Sequence, residues 1–400
     1  MTVMPTYSPF DMFAPPAGTD RARPRVFIAP PRYIQGRGVL HDTGRYLSLL
    51  PARHVALLMS ERGHRTAGRA VAESLRAAGV SHVAKTFNGE CSLEEIEAHA
   101  ADLEGERIDA LIAAGGGKCI DAGKSIAYRL DIPVVIAPTL ASNDAPCSAL
   151  SVIYTADGAF AGGEFFPDSP ALVIVDTQVV AEAPERYLVA GIGDAMATWY
   201  EARVCLVNDT AMNTVGARPT LASGAIGETC CRTLFDQGTA AAAAVRDRTV
   251  NDALEAVVEA NTLLSGLGFE SGGLAAAHGV AQSYTAIPKV ESNFLHGELV
   301  AMGTLAQLML ESRPDEATRV AEFFARVGLP VHLGQLLLDG SDTAALETVV
   351  EGTLAFPFIG NMPEPVTADG VRSALLDAHT LGLSVCGRVG DASYRQLRDA

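Results

Sequence analysis

The sequence predicts two domains, an α/β domain built on a parallel sheet followed by an all-helical domain. Three observations predict it. At 400 residues the chain exceeds the roughly 250–300 residues at which single hydrophobic cores stop growing. Short apolar runs alternate with amphipathic helical patterns through the first half, as in a parallel sheet covered by helices. After about Val180 the strand signal stops and helical periodicity takes over. The expected organisation is an N-terminal extension over 1–20, the α/β domain over 21–181 and the helical domain over 182–400.

Taken in order, the expected strands are Arg25–Ala29, His54–Met59, His82–Phe87, Ala110–Ala114 and Val134–Ala137, with helices at Thr66–Ala78, Ser92–Leu103 and Lys118–Leu130 between them. Two further strands, Ala149–Thr155 and Ala171–Asp176, flank a turn at Gly162–Gly163 and are expected as an antiparallel addition beside the sheet. Helices are then expected at Leu188–Leu206, Thr220–Phe235, Asn251–Leu264, Glu298–Ser312, Asp315–Val327, Thr343–Gly352 and Ala368–Leu381. Proline and glycine punctuate the gaps, as at Pro288 and Gly328–Pro330.

Composition narrows the function. Apolar residues are 48% and charged residues 19% of the chain, ordinary for a globular enzyme. A net charge of −17 argues against nucleic acid or an anionic membrane as partner. No apolar run approaches the length of a membrane span. The seven cysteines are irregularly spaced, with no C-x-x-C pair, which reads as reduced thiols in a cytoplasm. The first twenty residues have no basic start followed by an apolar run and read as a loosely docked extension, not a signal peptide.

Two constellations carry chemistry. The strand ending at Ala114 runs into Gly115-Gly116-Gly117-Lys118 and a helix begins there. Glycines let a ligand approach the main chain, and the helix N-terminus suits a pyrophosphate. A tight strand-to-helix turn is the alternative reading, and Asp121, in the expected first turn, can cap the amides instead. The neighbouring strand ends in Ala137-Pro138-Thr139-Leu140-Ala141-Ser142-Asn143-Asp144, at the edge where open α/β sheets bind ligands. There Asp144 reads either as an acceptor for a substrate hydroxyl or as a turn former. The second constellation is Asp194, His278 and His296. One carboxylate and two imidazoles suit a catalytic divalent metal with open positions. Taken singly, Asp194 also reads as a cap at the start of a long helix, and each histidine as a core residue.

The patterns around these residues resemble the glycerol dehydrogenase branch of the iron-containing alcohol dehydrogenase family. The resemblance runs from about Arg25 to Gly382 and is clearest in Gly115–Asp121, Ala137–Thr155, Gly191–Ala202, Pro219–Leu221, Glu259–His278, Leu295–Val300 and Asn361–Thr367. It implies a Rossmann-like parallel-sheet domain plus an all-α domain, the dehydroquinate synthase-like arrangement. It implies that Asp194, His278 and His296 hold Zn2+, or less often Fe2+, in a cleft between the domains. Gly116, Gly117, Lys118 and Asp121 would then cradle NAD, with Thr139, Ser142, Ser148, Leu150 and Tyr154 completing the site. Asp144 matches a glycerol-contacting aspartate and Phe269 an aromatic at the substrate pocket. Cys119 and Cys147 are expected near the cofactor, with oxidative sensitivity a consequence.

The implied reaction moves a hydride from glycerol or a related vicinal diol to NAD(P)+, giving dihydroxyacetone or the matching hydroxyketone. The alternatives are another small hydroxy compound on the same scaffold, such as a 2-hydroxy acid or glycerol 1-phosphate, and an iron oxygenase with the same ligand set. The resemblance also implies a homo-oligomer, octamers being common among relatives. Three departures stand out. Ser60 replaces an aspartate expected at the adenosine ribose, with Arg62 beside it either accepting a 2′-phosphate, so that NADP is possible, or facing solvent. Gly279-Val280-Ala281-Gln282 and Gly360-Asn361-Met362-Pro363 each lack a histidine that relatives often carry.

Overall fold

The computed structural model describes residues 7–399. The first six residues of the expected extension and the last residue of the expected helical domain lie outside the described residues. The chain forms two compact units. One is built on Ile28–Ala183, the other on Phe10–Phe27, Pro184–Asp247 and the described residues from Asn251 on.

The first unit carries a six-stranded sheet. Its strands are β1 (Tyr33–Gly36), β2 (His54–Met59), β3 (Ser81–Thr86), β4 (Ala110–Gly115), β5 (Val134–Pro138) and β8 (Leu172–Asp176), in the order β1-β8-β5-β4-β2-β3. Every pair is parallel. Helices α1 (Ala67–Ala77), α2 (Leu93–Leu103) and α3 (Gly117–Leu130) connect the strands. Strands β2, β4, β5 and β8 are buried almost throughout, which is why they read as continuous apolar runs instead of alternating ones. The chain leaves β2 toward β3 on one side, then returns to lay β4 on the other. The carboxyl ends of β2 and β4 therefore flank a topological switch point, where such sheets bind ligands.

Two expectations about this unit are corrected. Residues 25–29 form no strand. Pro24 and Pro30-Pro31 bracket them and interrupt any ladder, and Arg25 makes only an isolated bridge to Arg218. The first strand is Tyr33–Gly36, beside β8. The hairpin also has different partners. β6 (Leu150–Tyr154) pairs antiparallel with β7 (Phe160–Phe165), while Leu172–Asp176 enters the main sheet. Gly162-Gly163 is not the turn but the interior of β7, and the register shifts beside it, where Ile153 pairs with Gly162 and Tyr154 with Phe160. The turn lies earlier, where the Thr155 hydroxyl accepts from Ala159 N at 3.0 Å and Gly158 takes a φ of 91°.

The second unit is helical. Its main helices are α4 (Glu185–Val207), α5 (Leu221–Arg246), α6 (Asp252–Glu259), α7 (Ser265–Gly272), α8 (Ala276–Tyr284), α9 (His296–Leu310), α10 (Pro314–Val327), α11 (Thr343–Ala355) and α12 (Ala368–Val389). The helix expected to end at Leu264 instead continues through a π turn, Ala260–Leu264, into α7. α4 is buried along most of its length, with small and apolar residues on most of its faces, and it packs against α5, α7 and α9. Ahead of it in sequence, Phe10 docks on Phe358, with ring centroids 6.3 Å apart. No helix among the described residues is long and apolar enough to cross a membrane.

Candidate metal centre and dinucleotide loop

Asp194 sits in the middle of α4. The helix starts nine residues earlier at Glu185, so the expected N-cap role does not apply. Gly191 and Gly193 suggest a helix start, but Gly193 serves a crossing. A Cβ on Gly193 would stand 2.3 Å from the Gly297 carbonyl oxygen, and one on Gly297 would stand 1.8 Å from the Ala190 carbonyl oxygen. The backbones of α4 and α9 touch only because both positions lack a side chain. His296, the first residue of α9, is thereby delivered to Asp194.

His278 arrives from α8, and the three side chains converge. Asp194 Oδ1 lies 3.3 Å from His296 Nε2 and 3.5 Å from His278 Nε2. One ligand atom from each residue falls within 4.8 Å of the other two. Donors bound at about 2.0–2.2 Å to a tetrahedral ion lie roughly 3.4 Å apart, so this spacing fits a zinc-sized cation. Three protein donors also leave coordination positions open. Asp194 is fully buried, whereas the His296 side chain is 49% exposed, so the cluster is open to solvent through that histidine. Burial pushes the Asp194 carboxyl up, but the His296 and His278 imidazoles outweigh it and hold it well below the usual range. Burial pushes His278 down, but Glu201 and Asp194 outweigh it and raise it. The pocket therefore favours an ionised Asp194 carboxylate, which a bound cation would neutralise.

Glu201, two turns beyond Asp194 on α4, was missed in the sequence and is fully buried. Its Oε2 accepts from His278 Nδ1 at 2.5 Å, and its Oε1 accepts from the amides of Ala275 at 2.8 Å and His278 at 2.9 Å. Gln307 Oε1 accepts from Ala277 N at 2.9 Å. These acceptors satisfy the first amides of α8, whose own cap residue, Ala275, offers no side-chain oxygen. A second acidic residue seven positions after Asp194, on the same face of the helix, was the available signal. Phe269 lies on α7, 7% exposed.

In the first unit, Gly116 caps α3 without a side chain, so the amide end of the helix is available to an anion. At Gly117 a Cβ would meet Asn143 Nδ2 at 2.4 Å, so a side chain there would displace Asn143. Gly115 pairs with Pro138, and Thr139 N donates to the Gly115 carbonyl at 3.0 Å. This sets Thr139, Ser142 and Asp144, all half-buried, on the loop beside the glycine turn. Lys118 Nζ pairs with Glu90 at 2.6 Å and lies 4.6 Å over the Tyr154 ring. Ser60 follows β2 directly, and its hydroxyl accepts from Gly63 N at 3.1 Å as a helix cap.

Two of the expected cofactor residues, Asp121 and Ser148, are buried. Asp121 is not in the first turn of α3 but a full turn into it. Lys124, also missed in the sequence, is buried and donates to Asp121 Oδ1 at 3.1 Å, to Ser148 Oγ at 3.0 Å and to the carbonyls of Ala145 at 2.6 Å and Leu150 at 2.8 Å. Asp121 Oδ2 also accepts from Val152 N at 3.1 Å. In the structure these groups tie α3 to the loop and hairpin. Burial pushes the Cys119 thiol up to about 12, which disfavours the thiolate form.

The model of the iron-containing alcohol dehydrogenase family matches residues 30–177. A glycerol dehydrogenase of Escherichia coli is 45% identical over 363 residues, covering 90% of this chain and 97% of that protein. The chain belongs to the iron-containing alcohol dehydrogenase family. A glycolaldehyde reductase of Halobacterium salinarum is 41% identical over 371 residues, 91% of this chain and 99% of its own length. The crystal structure of glycerol dehydrogenase from Schizosaccharomyces pombe superposes with a TM-score of 0.87 at 34% identity, covering 92% of this chain and 93% of that one. Membership of the iron-containing alcohol dehydrogenases makes the chain an oxidoreductase, and the parallel-sheet and helical units have the fold expected from the sequence.

Proposed function

We propose that the chain oxidises glycerol, or a closely related vicinal diol, to the matching hydroxyketone with NAD+ as acceptor and a zinc ion held by Asp194, His278 and His296. The observation that carries this reading is the convergence of those three donors at spacings suited to one ion. When bound, the cation supplies Lewis-acid polarisation of a hydroxyl oxygen and the nicotinamide supplies the hydride acceptor. Asp194 contributes a fixed negative charge and the two histidines neutral nitrogen donors, a mixed set that suits zinc and also accommodates Fe2+. Gly116, Gly117 and the first amides of α3 hold the pyrophosphate, with Lys118, Thr139, Ser142 and Tyr154 around it. Asp121, Ser148 and Leu150 support the same site through Lys124. Asp144 accepts a hydrogen bond from a substrate hydroxyl, and Phe269 supplies an apolar wall.

Lys289, which lies between the two histidines in sequence, pairs with Asp342 at 3.8 Å. It is thus engaged elsewhere, which favours an uncharged polyol over a phosphorylated one. Six of the seven cysteines are buried, and their odd number and irregular spacing are in keeping with a cytoplasmic enzyme. Val207 and Leu221, 73% and 83% exposed, give the helical unit apolar surface for a homo-oligomer.

Cofactor choice turns on position 60. A carboxylate at the end of this strand accepts from the ribose hydroxyls and repels a 2′-phosphate. Ser60 exerts no repulsion, and Arg62 beside it is exposed, so NAD is preferred by less than in relatives with the carboxylate. Aspartate caps a helix as well as serine does, so Ser60→Asp keeps the turn. It should raise the NAD-over-NADP ratio of kcat/KM by about 5- to 150-fold, equivalent to about 1–3 kcal/mol. The reading is tested by assaying both cofactors against glycerol, 1,2-diols and simple alcohols, with glycolaldehyde in the reducing direction. Glycerol should have the highest kcat/KM in the wild type. Preference for a simple alcohol would overturn the substrate assignment, and an unchanged cofactor ratio in Ser60→Asp would show that position 60 does not face the ribose.

A further inference from the structure

We infer that Glu201 is a positioning residue that fixes the tautomer of His278, so that the Nε2 lone pair faces Asp194 and the cation between them. The inference rests on the proposed metal site and deepens it. Both Glu201 oxygens act as acceptors: Oε1 takes the two amides of Ala275 and His278, and Oε2 takes the ring nitrogen Nδ1. A carboxylate has no proton to offer, so Nδ1 carries the hydrogen and a neutral ring has its lone pair on Nε2. That lone pair points to Asp194 Oδ1, 3.5 Å away, where repulsion between the two is relieved by a cation. Glu201 and Asp194 ride on one helix, so the same rigid element sets the ligand and the group that orients its neighbour.

Substitution by glutamine separates orientation from helix capping. Two amide donors converge on Oε1, so the glutamine carbonyl must occupy that place and its NH2 must face Nδ1. The ring then has to accept at Nδ1 and carry its proton on Nε2, aimed at the metal position. Glu201→Gln therefore keeps the cap of α8 and reverses the tautomer.

The test is the zinc affinity of purified protein, read by competition with a chromophoric chelator, for wild type, Glu201→Gln, Asp194→Asn and His278→Ala. Glu201→Gln should fold normally and bind zinc about 10- to 100-fold more weakly, with Asp194→Asn and His278→Ala weaker still. Wild-type affinity in Glu201→Gln alone overturns the role of Glu201. Wild-type affinity in all three variants overturns the metal reading beneath it. Should Glu201→Gln fail to fold, long-range proton–nitrogen spectra of wild-type protein labelled at histidine nitrogen decide the matter. An Nδ1–H tautomer at His278, assigned by its loss in His278→Ala, supports the inference, and an Nε2–H tautomer contradicts it.

Discussion

His278→Ala and Asp194→Asn should reduce kcat to roughly a thousandth of wild type or less, a loss of about 4 kcal/mol or more in transition-state stabilisation. With one of three donors removed, the remaining two cannot hold the ion against exchange, so zinc content should fall in parallel. Nucleotide binding should survive. The glycine turn, α3 and the loop after β5 belong to the first unit, which has its own core around Val55, Leu57, Ile112 and Ile174. Zinc content, kcat and the fluorescence of bound NADH separate these effects. Full turnover in either variant would remove the triad from catalysis, and loss of NADH binding would show that the substitution damages more than the metal.

Gly297→Ala should destabilise the helical unit by about 3 kcal/mol or more, at the upper end of what overpacking costs. The added methyl would sit 1.8 Å from the Ala190 carbonyl oxygen and 3.1 Å from Asp194 N. These are backbone atoms of a buried helix, so no side chain can swing aside. α9 must lift from α4, and His296 moves with it, so zinc affinity should drop together with the melting temperature, by roughly 6–12 °C for a unit of this size. Gly387→Ala on α12 is the control, because nothing lies within 4 Å of the position where its methyl would go. It should be neutral or slightly stabilising. Equal stability in the two variants would mean that the α4–α9 crossing is not glycine-limited.

What was legible in the sequence was whatever rests on local pattern. β2 is found at His54–Met59 as expected because both faces are covered and the run is uniformly apolar. α2 starts after Ser92 because its hydroxyl accepts from Glu95 N. The glycine turn and the neighbouring loop fall where strand ends predict them. What was not legible depends on partners far away in sequence. Gly191 and Gly193 look like the boundary of a helix, and only the packing of α9 explains why Gly193 lies inside one. Tyr33–Gly36 is four residues long and owes its existence to β8, so the longer apolar run before it was the more attractive choice. Glu201 and Lys124 carry no motif. Each is a charge buried by the fold and satisfied by groups from other elements: Glu201 by the start of α8, Lys124 by the loop at Ala145–Leu150. Such residues become visible only when the donors and acceptors around them are known.

The central claim is that turnover depends on one exchangeable cation at Asp194, His278 and His296. The most direct measurement takes the wild-type protein, strips it with a chelator, removes the chelator by dialysis and follows NADH formation from glycerol and NAD+ as stoichiometric zinc is added. The account predicts an inactive stripped enzyme that regains activity in proportion to zinc, saturating at one ion per chain, while His278→Ala stays inactive at the same zinc concentration. Full activity in protein shown by elemental analysis to contain no metal would contradict it.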